Sequence, residues 1–349
     1  MSDADRSLLR QSVRDFLAHI WPIDKAVENS GSVEAIGNLW PAMARQGLAS
    51  LGYNTAEVDL REIILVFEEL GRAACPAPML GAVAANLALA TQTSNAAGAL
   101  LEDIHEGKAS LAVSFGDLDG DPAAGRVEMR DDRLSGRVSF VEAMQASTHV
   151  LVFVDTGVAV VTSDAAGMTI AAMHGLAVPS FSELTFASTP AVRLDATRER
   201  LSDIALVARL ACTGRAVGAA QRAFDLAVDH AKVRKQFGQL IGQFQAVQHK
   251  LADCLINLDG ARLVLNAAAT AYDHGHPGWR VFASSAVAFA SPALRTVSIE
   301  THRALGAIGY AEEHEAPRHF RRVHADLARF GGMPRARSEL ANVLLGPVQ

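Results

Sequence analysis

The sequence predicts an α+β chain: an N-terminal α-helical domain, a middle β-barrel or sandwich domain, and a C-terminal four-helix bundle. Three observations carry that prediction. Apolar residues keep a helical spacing over the first hundred positions. Residues 110–189 then switch to short, roughly alternating, β-branched runs parted by turn residues. Near residue 200 the helical period returns and holds to the end. The order α, then β, then α lacks the βαβ alternation of a Rossmann sheet. Boundaries are expected at 1–107, 108–198 and 199–349, a reasonable division of 349 residues at roughly 150 per domain.

Each segment has its own signal. Leu8, Leu9, Val13, Phe16, Leu17 and Ile20 form one helical face over 4–20, and Pro22 stops it. Ile36, Leu39, Trp40, Met43 and Leu48 predict a helix over 33–48. In 57–74, Ile63, Ile64, Phe67 and Leu70 turn inward while Arg61, Glu62, Glu68 and Glu69 turn outward. CPAP at 75–78 breaks that helix, and the Ala/Leu-rich stretch 79–106 reads as another. Strands are expected at 110–115, 125–130, 133–141, 148–154, 158–163 and 183–189. Helices over 200–233, 243–274, 279–305 and about 313–330 are long enough for a bundle.

Composition narrows the function. Half the residues are apolar and 20% are charged, so the chain buries a large core. A net charge of −6 and a pI near 6.1 argue against a nucleic-acid partner. Cys75, Cys212 and Cys254 are isolated, which argues against a disulfide framework or structural zinc and for a reducing compartment. No apolar run reaches a membrane span and no secretory signal opens the chain, so a cytoplasmic protein is expected.

Phosphate-loop, nucleophile-elbow and Rossmann glycine motifs are absent. HEAPRH at 314–319 spaces its histidines five apart with Pro317 between them, which rejects a zincin site. His274 and His276 read better as a polar turn than as metal ligands, so no metal is expected. Arg318, Arg321 and Arg322 either hold a phosphate or form a solvated helix face. The informative stretch is 214–254. Gly214, Gly218 and Ala219 allow close helix packing, Arg234 and Lys235 suit a helix C-terminus, and Phe237-Gly238 turns the chain toward Gln243, Gln245 and Gln248. An arginine, a ring and amides converging there suit a cofactor with phosphates and a planar ring. By composition alone the same stretch is an ordinary helical hairpin.

These residues resemble the acyl-CoA dehydrogenase family, flavoenzymes that introduce a 2,3 double bond into acyl-CoA thioesters. RKQFGQLIGQFQAVQHKLAD at 234–253 is similar to that family's R-x-x-F-G run, and LGAIGYAEEH at 305–314 to its Gly-Gly-x-Gly segment. EELGRAACPAP at 68–78 resembles a stretch of its N-terminal helical domain. The resemblance implies FAD bound between two subunits. Arg234, Gln236, Phe237, Ile241, Phe244 and Val247 would line a neighbour's FAD, with Arg303, Gly306 and Ala307 at its ADP half. Arg209 matches an arginine beside the family's catalytic site.

The resemblance also exposes gaps. The family's glutamate base falls on Phe330, and its alternative position falls on Ala208. Neither can take a proton. The family's flavin-facing W-[IV]-[TS] reads Phe140-Val141-Glu142. Such short, base-lacking chains resemble one subunit of the paired acyl-CoA dehydrogenases of bacterial steroid side-chain breakdown. An α2β2 heterotetramer with a related chain is therefore the expected assembly, passing electrons to an acceptor protein. Two alternatives stay open: a self-sufficient homo-oligomer with a relocated base at Asp326, Glu313 or Glu142, and a non-catalytic acyl-CoA-binding or scaffold subunit.

Overall fold

The computed structural model describes residues 2–53, 59–90, 92, 94–155, 157–175, 177–178 and 180–346. Glu57 and Val58, the start of one expected helix, lie outside the described residues. Among the described residues seven α-helices come first: α1 (Asp3–Ile20), α2 (Ile23–Asn29), α3 (Val33–Gly37), α4 (Leu39–Arg45), α5 (Leu60–Arg72), α6 (Met79–Leu89) and α7 (Asn95–His105). Eight strands follow: β1 (Leu111–Ser114), β2 (Gly125–Arg130), β3 (Arg133–Val141), β4 (His149–Val154), β5 (Gly157–Thr162), β6 (Met168–Ala172), β7 (Ser182–Pro190) and β8 (Val192–Asp195). The chain closes with α8 (Arg198–Val233), a hairpin of β9 (Lys235–Gln236) and β10 (Gln239–Leu240), then α9 (Gln245–Asp273), α10 (Trp279–Leu305), α11 (Ala316–Ala328) and α12 (Gly332–Leu345).

Two expected helices are each split. The segment 33–48 breaks at Asn38, because Pro41 near the start of α4 has no N–H to continue the ladder from α3. The segment 79–106 breaks after α6, and the Ser94 hydroxyl restarts the chain by capping α7 at the Ala97 amide (3.2 Å). Four elements carry no sequence signal that predicts them. The helix α2 is only seven residues long, β8 only four, β6 is largely exposed, and α12 follows a break at Phe330.

The middle strands form two four-stranded sheets, ordered β1-β4-β5-β8 and β2-β3-β7-β6. Only β1 and β4 run parallel among these ladders. Val150, Val152 and Val161 from the first sheet share an apolar cluster with Val138, Leu184 and Phe186 from the second. A much larger apolar cluster runs from the N-terminal helices into the C-terminal bundle.

The axis of that larger core is α8, packed almost backbone to backbone against α5. A Cβ at Gly218 would overlap the Glu68 carbonyl, and one at Gly71 would overlap the Arg215 carbonyl. Gly218→Ala is therefore expected to force the two helices apart and cost about 1–3 kcal/mol, read as a lower urea midpoint. An unchanged midpoint would show that the helices have room to spare.

Candidate functional site: a sealed ionic cluster and an exposed hairpin

At the β3 end of the sheets, the residues facing the expected flavin are engaged with each other. Glu142 receives two hydrogen bonds from Arg215 (Oε1 from Nη1, 2.9 Å; Oε2 from Nη2, 2.8 Å). Asp326 receives two more from the same guanidinium, at 2.9 Å from Nε and 2.7 Å from Nη2. Arg322 donates to Glu142 at 2.8 Å and Arg329 at 3.3 Å. None of these five residues is more than 8% exposed. Burial by itself would raise the Glu142 pKa, but the guanidiniums of Arg215, Arg322 and Arg329 outweigh it and hold the carboxyl well below the usual range. A carboxylate so stabilised is a poor proton acceptor. Beside it, burial pushes the Cys212 thiol up to about 12.

The expected base positions complete the seal. Phe330 is 1% exposed and packs edge-on against Phe115, with ring centroids 5.1 Å apart. Its φ of +57° is a left-handed conformation that a bulky side chain rarely adopts. The Arg329 guanidinium lies 5.0 Å from the Phe330 ring centroid while bonding Glu142. Ala208 is buried. Of the three relocated-base candidates, Asp326 and Glu142 are locked to arginines, while Glu313 is exposed in a turn. Arg209 is buried and donates to the Glu339 carboxylate (3.0 Å) and the Gly332 carbonyl (2.7 Å).

The basic run on α11 is not a phosphate cradle. Arg318 donates to backbone carbonyls including Val27 (2.5 Å) and Glu312 (2.7 Å), Arg321 pairs with Glu312, and Arg322 belongs to the buried cluster. Sequence reasoning missed Arg215 altogether. Its one signal was an arginine inside the small-residue run ACTGRAVGAA, where only a buried helix face needs such packing.

The hairpin between α8 and α9 has the opposite character. Phe237 and Gly238 both have positive φ (+51° and +80°), the two-residue turn that matches strand twist. Phe237 is 93% exposed, and its edge meets the Phe244 ring at 6.3 Å. Arg234 and Gln236 are exposed, and Ile241, Phe244 and Val247 are half-buried. Gly306 and Ala307, in the turn after α10, are also exposed, with Arg303 nearby in an ion pair with Glu300 (2.7 Å). Leu226, Leu251 and Leu305 tie this end of α8, α9 and α10 into one small apolar cluster. The hairpin and the Gly306 turn therefore share one end of the bundle. Nineteen residues of helix separate Arg215 from Arg234, about 28 Å at the usual rise. The hairpin of this chain cannot reach its own sealed cluster.

These two regions answer differently to FAD. Between Glu142 and Phe330, charged side chains bonded to one another fill the space, and a flavin with a substrate beside it does not fit. The neighbouring cavity, lined by Phe140, Met173, Phe181 and Arg329, holds only about 250 Å³, below the roughly 300–1,000 Å³ usual for ligand pockets. At the hairpin, a largely exposed ring and exposed donors do fit the outer half of a cofactor held elsewhere. Among the described residues no helix is long and apolar enough to cross a membrane.

Comparison with known proteins agrees with the fold. Residues 202–332 match the family described as acyl-CoA dehydrogenase, C-terminal domain. The acyl-CoA dehydrogenase IpdE2 of Mycobacterium tuberculosis is 29% identical over 92% of this chain and 91% of its own. The 3-sulfinopropanoyl-CoA desulfinase of Paraburkholderia xenovorans is 28% identical over 99% of this chain and 97% of its own. Among solved structures, the ChsE4-ChsE5 complex from Mycobacterium tuberculosis has a chain of the same fold, with a TM-score of 0.85 and 20% identity over 100% of this chain and 99% of that one. The C-terminal part of the chain thus matches the acyl-CoA dehydrogenase C-terminal domain, and over nearly its whole length the chain is similar to acyl-CoA dehydrogenases in sequence and in three-part fold.

Proposed function

We propose that this chain is one subunit of a heteromeric acyl-CoA dehydrogenase, cytoplasmic and of α2β2 composition, acting on the CoA thioester of a steroid side chain. The reading rests above all on Arg329, which bonds Glu142 while lying against Phe330. Oxidation of a Cα–Cβ bond needs that bond held between a carboxylate base and the flavin. In this chain a guanidinium takes that space. A related partner chain then supplies the base and the flavin-facing residues.

Bound FAD would supply the hydride acceptor for such a reaction, with an acceptor protein downstream of it. The residues of this chain act on binding and water exclusion. The Arg234 guanidinium offers donors to a phosphate, Phe237 offers an apolar face, and Gly306-Ala307 lets a backbone approach closely. A steroid substrate draws support from a second structural match described as the Tcur3481-Tcur3483 steroid ACAD (TM-score 0.85, 24% identity over 98% of each chain), and a composite assembly from the ChsE4-ChsE5 complex.

The competing homo-oligomer needs a free base, and both buried candidates are ion-paired. Accordingly, Phe330→Glu is expected to give no dye-reducing turnover in the chain alone, because Arg329 still fills the substrate position. Turnover above background would revive that reading. The deciding experiment is the visible spectrum and native mass of the chain, alone and co-expressed with a related chain. A colourless chain that turns yellow only with its partner supports the proposal. A homotetramer with one FAD per chain refutes it.

A further inference from the structure

We propose that the small cavity between β3 and α11 binds a free α-amino acid with an aromatic side chain, its carboxylate on Arg329 and its ammonium on Asp119. The inference goes beyond the subunit reading, which needs this space closed to flavin but gives no role to what is left of it. The cavity is the one of about 250 Å³ walled by Phe140, Met173, Phe181 and Arg329. At close-packed density that volume holds roughly a dozen non-hydrogen atoms, the size of phenylalanine and far short of FAD.

Two buried charged groups line the cavity, and both are short of partners. The Arg329 guanidinium lies against the faces of Phe181 and Phe330, 5.6 and 5.0 Å from their centroids. Its Nη1 makes both of its polar contacts, to Glu142 at 3.3 Å and to the Cys212 sulfur at 4.0 Å. Its Nη2 has no hydrogen bond among the described residues and, unlike Nε, is not sealed away from solvent. Asp119 accepts one bond at Oδ1, from the Phe330 amide at 3.3 Å. Its Oδ2 likewise has no hydrogen bond among the described residues and is not sealed. Both side chains are otherwise buried, so the open atoms face the cavity. No ion pair joins Arg329 to Asp119 among the described residues. Burial raises the Asp119 pKa, against the pull of Arg329. A half-satisfied guanidinium and a half-satisfied carboxylate on one wall are matched by a molecule that carries an acceptor for one and a donor for the other.

An α-amino acid carries that acceptor and donor on one carbon atom and brings no net charge. Asp121, half-buried on the same wall, adds a second carboxylate, which favours a ligand ammonium over a bare anion. His324 adds no further donor at Nε2, which is already engaged with the Ser298 hydroxyl at 3.1 Å. The remaining wall calls for a ring. Phe140 and Phe181 meet edge to face at 6.2 Å and 83°, and the Met173 sulfur accepts from the Phe140 amide at 3.3 Å. Phe140 and Phe330 also both hold left-handed backbone (φ +61° and +57°), strain that bulky residues keep where a site requires it.

The test is titration calorimetry of the full chain with L-phenylalanine, 3-phenylpropanoate, phenethylamine and FAD. The expected result is saturable 1:1 binding of phenylalanine, with the propanoate and the amine each at least tenfold weaker. Asp119→Asn should bring phenylalanine down to the affinity of 3-phenylpropanoate. Ala328→Trp, at an exposed position on the wall, should abolish binding and leave the thermal midpoint unchanged. Absence of phenylalanine binding overturns the proposal, and so does affinity unaffected by both substitutions. Equal affinity for phenylalanine and 3-phenylpropanoate removes the role of Asp119 and overturns it as well. FAD displacing phenylalanine overturns this proposal and the subunit reading together. A chain that binds neither molecule overturns this proposal alone, so the two failures are distinguishable.

Discussion

Replacing Arg215 with methionine is expected to destabilise the chain by about 3–5 kcal/mol, the cost of leaving a buried ion cluster without one member. Among the described residues, Arg215 alone bonds both Glu142 and Asp326 in bidentate fashion. Its loss leaves two carboxylates 8% and 4% exposed, with Arg322 and Arg329 reaching mainly Glu142. The measurement is a urea unfolding curve, and a loss under 1 kcal/mol would mean that water enters the site. Changing Glu142→Gln and Asp326→Asn in the same chain should recover most of the loss, because the stranded charges are then gone. The pH dependence has a definite sign. Glu142 has a depressed pKa, so its contribution is present above the unfolded carboxylate pKa and disappears as pH falls below it. Glu315 behaves alike: burial opposes its charge, but bonds from His319 and Arg222 lower its pKa from 4.5 to about 2. Stability should therefore fall steadily from about pH 4.5 toward 2.

Phe237→Ala is expected to leave stability within about 0.5 kcal/mol and yet speed flavin loss from the assembled complex at least tenfold. A side chain 93% exposed supports no core of its own chain. It nonetheless holds an aromatic ring in left-handed backbone, a cost that persists where a site needs that geometry. Phe237→Gly separates the two effects. It should stabilise the turn by roughly 1 kcal/mol, and it should release flavin as fast as the alanine variant. Arg234→Ala should act in the same direction through lost phosphate donors. Fluorescence of released FAD after dilution, read beside thermal unfolding, checks all three. Flavin retention equal to the unsubstituted chain would remove the hairpin from the cofactor site.

The long elements were legible because each repeats its pattern many times. The periodicity of α8, α9 and α10 runs over 36, 29 and 27 residues, and their ends carry turn residues. Elements such as β8 and α2 bury too little to leave a pattern, and β6 lies largely exposed at a sheet edge. The exposed hairpin was legible as a motif, since arginine, ring and glycine sit together in the chain. The ionic cluster was not. Glu142, Arg215 and Asp326 are 73 and 111 residues apart, and only the packing of β3, α8 and α11 brings them into contact. Asp326 looked like a spare base for that reason: a sequence shows a carboxyl group but not the arginine that holds it.

The cluster also bears on how easily this chain could change. Its five members come from three segments, and no single replacement undoes it. Each reversal taken alone strands a charge in the interior and threatens the fold before any activity returns. The cluster therefore works as a ratchet, easier to complete than to take apart one residue at a time. On the subunit reading proposed above, a chain whose interior is filled by arginines in this way would depend on its partner for activity, and the two genes would be kept or lost together.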